Sequence, residues 1–158
     1  MSGRKTRAAL WIAVIAAAMM IFCFSAQTGD STEQTDQPFT LFFVRLTDLH
    51  WDARTPAEQA AVLDYARLLV RKLAHLCEYA LLGCLIRLLT ESYRLRRASA
   101  WALLAGTLYA ASDEVHQALV PGRTGAPQDV VLDALGLTAG IVLAVLLLTL
   151  RDKRRNRA

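Results

Sequence analysis

Three cysteines are all the chain contains, and none has C-x-x-C or other metal-ligand spacing. Their odd number, and the apolar runs around Cys23, Cys77 and Cys84, give no disulfide framework; thiols in such runs pack as small apolar groups. Also missing are a nucleophile elbow, an H-E-x-x-H pair and a P-loop, so the local signatures of serine-hydrolase, zinc-protease and nucleotide chemistry are absent. No aromatic residues interleave with the basic tails, which sets nucleic acid aside as a partner. No cofactor and no resident metal is implied, and no repeat of solenoid period occurs. Charge is absent from residues 8–26, a run about long enough to cross a ~30 Å hydrocarbon core as a helix.

What is present is largely apolar. The 158 residues allow one domain, with 54% hydrophobic residues. Mean hydropathy is +0.30, high for a soluble domain and ordinary for a small membrane protein. Three further apolar runs follow, at residues 73–90, 98–120 and 130–150. A cleaved signal peptide is the rival reading of the first run. Cleavage after Ala26 would put Phe24 where a small residue is wanted, and no lipobox precedes Cys23, so a retained helix is expected. Residues 27–37 read as an exposed loop. Residues 38–51 read as an aromatic segment too short to span, lying at the membrane interface or packing over the bundle. Thr55, Pro56 and Glu58 have the spacing of an N-cap, a first helical residue and a capping-box partner. A helix is expected to start there and run on into the second apolar run. Residues 121–128 hold two Pro and two Gly and read as a tight loop.

The bases sort by side. Arg4, Lys5 and Arg7 at the front, Arg94, Arg96 and Arg97 in the second turn, and Arg151, Lys153, Arg154, Arg155 and Arg157 at the back share one side of a four-crossing topology. The positive-inside rule places that side in the cytoplasm. The expected fold is all-α: a polytopic four-transmembrane-helix bundle over residues 8–150, with both termini cytoplasmic. A short interfacial segment joins helices 1 and 2, and a basic cytoplasmic tail occupies residues 151–158.

This topology gathers polar residues at the outward helix ends: Ser25 and Gln27; Lys72, His75, Glu78 and Tyr79; Asp113, Glu114, His116 and Gln117; Asp129 and Asp133. Ionisable groups at such depth are expensive and mark function or are paired within the protein. Lys72, His75 and Tyr79 fall at i, i+3 and i+7 with Glu78 beside them; Asp113 and Gln117, like Asp129 and Asp133, are four apart. The last stripe continues to Gly136 and Gly140, small residues that let helices approach. His116 lies off its stripe. Two plainer readings stand beside a functional one. Helix-end groups can simply face interfacial water, and Lys72 and Arg123 can neutralise carboxylates in a structural ion-pair network.

At these residues the chain resembles the VanZ-like family of small bacterial membrane proteins. The matching pieces are Phe-Ser-Ala-Gln at 24–27, Arg-Lys-x-x-His-x-x-Glu-Tyr at 71–79 with Gly83, Asp-Glu-x-x-Gln at 113–117, Pro-Gly-Arg at 121–123, then Asp129, Asp133, Gly136 and Gly140. Asp133 departs from the Asn expected there in many members. The resemblance implies a multi-pass protein of the bacterial cytoplasmic membrane, linked through the family's namesake to teicoplanin (glycopeptide) resistance, with Gly83, Gly136 and Gly140 as packing residues. It names no agreed biochemical activity.

Four functions are compatible with these residues. In the first, Lys72, Tyr79, Glu114, Gln117, Arg123, Asp129 and Asp133 line an outward pocket for an anionic lipid or cell-wall precursor. In the second, His75 with Glu78 or Asp113 performs acid-base or metal-assisted chemistry on a lipid head group. A coupled transporter and a structural partner subunit are the third and fourth. The bilayer is the partner common to all; the oligomeric state is left open.

Overall fold

Five helices make up most of the residues described, 3–123 and 125–157, in a computed structural model of the chain, and no strand occurs among them. In order they are α1 (Gly3–Ser25), α2 (Gly29–Thr47), a single 3-10 turn at Trp51–Ala53, α3 (Pro56–Ser92), α4 (Ala98–Ala118) and α5 (Pro127–Arg155). By length and composition α1, α3 and α5 can each cross a membrane. At 37 residues, α3 is about 55 Å long and overshoots a ~30 Å hydrocarbon core. The last two turns of α4 carry Ser112, Asp113, Glu114, His116 and Gln117, which cut its apolar run short of a bilayer's thickness. It nevertheless packs against α1, α3 and α5.

The start of α3 follows from its first residues. Thr55 Oγ1 accepts the Glu58 backbone N–H, and the Glu58 carboxylate accepts the Thr55 backbone N–H at 2.8 Å. The expected capping box is therefore present, and the helix it opens does continue into the second apolar run. Those bonds hold the Glu58 carboxyl below its usual value of 4.5. A carboxyl depressed in the folded state stabilises fully above its unfolded pKa and loses that contribution as pH falls through the folded value. Thr55→Ala is expected to lose about 1 kcal/mol. Amide exchange should speed up in the first turn of α3 and stay unchanged at Leu82, and acidification below the ordinary Glu range should do the same to the native protein.

The loop expected over residues 27–37 is mostly helix, since α2 begins at Gly29. Its sequence is polar and carries Pro38 inside, so local signals oppose a helix there. Packing overrides them, as it commonly does for amphipathic helices. Val44 joins Trp51 and Ala66 in a small core of its own, Thr40 is buried, and Asp36 pairs with Arg71 at 3.7 Å. The aromatic segment thus packs one face on the first half of α3, and Phe39, Phe42 and Leu46 stay exposed on the other. At the far end α5 runs to Arg155, so most of the expected tail continues the helix. Ala158 of that tail and Thr124 of the Pro-Gly loop lie outside the described residues.

The main core draws on four helices: Ile21 of α1, Tyr79 and Leu82 of α3, Ala110 of α4 and Leu137 of α5. Where α3 meets α5 the backbones nearly touch at Gly83, Gly136 and Gly140. Both glycines of the α5 stripe therefore face a helix of the same chain. The basic ends lie together: Arg7 reaches the Ser92 carbonyl and stacks over the Tyr93 ring at 4.6 Å, and Trp11 donates to the Tyr93 hydroxyl.

Candidate ligand site

Two stripes on α3 face two cavities at the end of the bundle away from those basic termini. Leu68, Lys72 and His75 border a polar cavity of about 270 Å³, closed by Glu114 and Gln117 of α4, Arg123 of the loop, and Asp129 and Asp133 of α5. Arg71, Ala74, His75 and Glu78 border a second cavity of about 290 Å³, closed by Phe24 of α1 and Phe39 of α2. Arg71, His75 and Arg123 line both. Helical geometry explains the division. Residues 68, 72 and 75 form one i, i+4, i+7 row, and 71, 74, 75 and 78 the next, with His75 on the shared edge.

Within the polar cavity Lys72 Nζ donates to Asp129 Oδ1 at 2.5 Å, joining α3 to α5. Arg123 donates to Gln117 Oε1 at 3.0 Å and to the Phe24 carbonyl, joining the loop to α4 and α1. Burial draws the Arg123 guanidinium below its usual value, and the neighbouring Arg71 charge adds to that, against Asp36, Asp113 and Glu114, which raise it. Arg123 stays charged in any case. One carboxylate oxygen of Glu114 accepts the Ala126 backbone N–H at 2.9 Å and so anchors the approach to α5. Asp133 is 1% exposed; its Oδ1 lies 4.0 Å from His75 Nδ1, and its Oδ2 is buried with no hydrogen-bond partner. Burying a carboxylate so poorly matched costs several kcal/mol, which is the kind of burden functional sites carry.

The residues singled out from sequence do not all share one wall. Lys72, His75, Glu114, Gln117, Arg123, Asp129 and Asp133 meet in the polar cavity. Glu78 lies on the apolar one. Tyr79 and Asp113 sit in the packed interior: Asp113 Oδ2 accepts from Ser25 Oγ at 2.8 Å, Gln117 Nε2 at 3.0 Å and Tyr79 OH at 3.3 Å. That single oxygen ties α1, α3 and α4 together. His116 turns away and stacks on Phe22, with ring centroids 4.5 Å apart. Arg71, the first residue of the Arg-Lys-x-x-His-x-x-Glu-Tyr motif, also belongs to the site. Its signal was its spacing, four residues before His75 and seven before Glu78. Among the described residues no three His, Cys, Asp or Glu side chains are grouped to hold a metal ion.

The VanZ/LLP1 family model matches residues 10–148. The chain belongs to the VanZ/LLP1 family. The matched region reaches from α1 to α5, so both cavities lie within the part that defines VanZ/LLP1 membership. No curated protein and no solved structure matches the chain.

Proposed function

We propose that this VanZ/LLP1 protein binds an anionic, lipid-linked or cell-wall-derived ligand in the polar cavity, at the outer face of a bacterial cytoplasmic membrane. The observation that carries the reading is the gathering of Lys72, His75, Glu114, Arg123, Asp129 and Asp133 from three helices and a loop around one cavity. In this reading α4 is a fourth crossing. Its ends are level with those of its neighbours, since Thr90 donates to the Ala98 carbonyl at one end and Ser25 to Asp113 at the other. The three basic clusters then lie at the cytoplasmic end with both termini, and the cavity opens outward. Lys72, Arg71 and Arg123 supply the charge that meets phosphate or carboxylate, and Gln117 orients it. Holding such a ligand alters how the envelope meets glycopeptides, teicoplanin among them.

A structural reading is favoured by one observation, the three bonds converging on Asp113 Oδ2. The two readings part at Lys72. Its side chain is 44% exposed, so its pair with Asp129 contributes at most about 1 kcal/mol to stability once screened by solvent. Lys72→Ala is therefore expected to leave the protein folded and to weaken binding of an anionic probe about tenfold or more. Expressed in a glycopeptide-susceptible host, it should lose most of any tolerance conferred by the unmutated protein. Full retention at normal expression would rule the binding reading out. The enzymatic alternative pairs His75 with Glu78 or Asp113 in acid-base chemistry on a lipid head group, to which the geometry adds Asp133, 4.0 Å from His75; unchanged lipid composition in His75→Ala cells counts against it.

A further inference from the structure

This inference deepens the anion-site reading and rests on it. We propose that the polar cavity and the apolar slot are two halves of one site for an amphiphile, its anionic head group at the Arg71–Arg123 seam and its hydrocarbon tail in the slot between α1, α2 and α3. The two spaces adjoin at the residues they share, Arg71, His75 and Arg123. Chemistry changes across that seam. On one side stand Lys72, Gln117 and Asp129; on the other, Phe24, Phe39, Val70 and Ala74.

Charge places the head group. Arg71 lies near enough to Arg123 to disfavour its charge, and an anion between two guanidinium groups turns that repulsion into two attractions. Arg71 Nε is buried without a hydrogen-bond partner, 3.7 Å from its ion-pair partner Asp36, so a donor remains at the seam. Asp36 already pairs with Arg71 at the seam, so a head group there shares Arg71 with it, and most of the slot's surface beyond is left to the uncharged end of the molecule. Entry is open. Phe39 is 67% exposed and Ala74 is exposed as well, so a tail reaches the slot from the side without passing through the polar cavity.

The test uses the whole chain in phosphatidylcholine nanodiscs and dodecyl phosphate carrying a photoreactive diazirine on its terminal carbon. Adducts are expected on Phe24, Phe39, Val70 or Ala74, and excess inorganic phosphate should suppress them. Ala74→Trp fills an exposed part of the slot and should cut the adducts at Phe24 and Phe39 about tenfold. The map of the unmutated protein stands whether or not that variant folds. Phosphate-sensitive adducts scattered on outer-face residues such as Leu104 and Leu146 would overturn the tail assignment and leave the anion site standing. So would an undiminished adduct yield in folded Ala74→Trp. Labelling indifferent to phosphate, wherever it falls, overturns the anion site itself and this inference with it.

Discussion

Gly140→Val is expected to remove most of the folded protein from the membrane. A Cβ at residue 140 would overlap the Ala80 carbonyl oxygen, lie 2.6 Å from its carbon and 2.9 Å from the Cys84 nitrogen. Every one of these atoms is backbone. No rotamer change relieves the clash, so α3 and α5 must separate along their whole contact. That contact also carries Gly83 against Leu137 and Gly136 against Leu76, so separation unpacks those as well. Overpacking of a side-chain core costs about 1–3 kcal/mol, and a backbone clash belongs above that range. Against a total stability of about 5–15 kcal/mol, a loss beyond 3 kcal/mol depletes the folded state visibly. Ala139→Val is the control. Residue 139 is exposed on the outer face, and the change there should stay within about 0.5 kcal/mol. Unfolding of the two variants in mixed micelles, followed by circular dichroism, checks the difference.

Asp113→Ala should come second in severity. Three donors lose one acceptor at once: Ser25, Tyr79 and Gln117. Asp113 is 3% exposed, so little water replaces it. Side-chain hydrogen bonds within membranes average about 0.6 kcal/mol and reach about 1.7. Leaving a buried donor unsatisfied costs about 1–3 kcal/mol in soluble proteins. A loss of about 2–5 kcal/mol is expected from these figures. Asp113→Asn keeps an acceptor oxygen and should be milder. Ser25→Ala and Tyr79→Phe each remove one bond, and their effects should largely vanish in the Asp113→Ala background. Additive effects in that double-mutant cycle would show that the shared oxygen is not what couples the helices.

Much of this architecture could be read before any coordinates, and the reasons are local. Apolar runs as long as a bilayer is thick announce helices, and Thr55 to Glu58 announces a helix start because a capping box acts over four residues. The gathering of Lys72, Asp129 and Asp133 followed from topology, since antiparallel neighbours bring alternate ends together. Other features depend on contacts that spacing does not encode. The helical state of residues 29–37 is set by the face α2 presents to α3, at Asp36 and Thr40. Glu78 stays beside His75 on the apolar slot, while Lys72 faces only the polar cavity and Tyr79 turns into the packed interior. Ser25 looked like one more helix-end hydroxyl. Its complete burial comes from Asp113, 88 residues later in the chain.

If charged groups from different helices share one chamber open to the outside, a single side of the membrane gives access to all of them. Single cysteines introduced at Lys72, Gly122 and Asp129, and separately at Arg94 and Asp152, in a chain freed of Cys23, Cys77 and Cys84, test it with a membrane-impermeant thiol reagent on intact cells. Labelling is expected at residues 72, 122 and 129 without permeabilisation, and at 94 and 152 only after it. Residues 72 and 129 reached from opposite sides of the membrane, or both reached only from within, would contradict it.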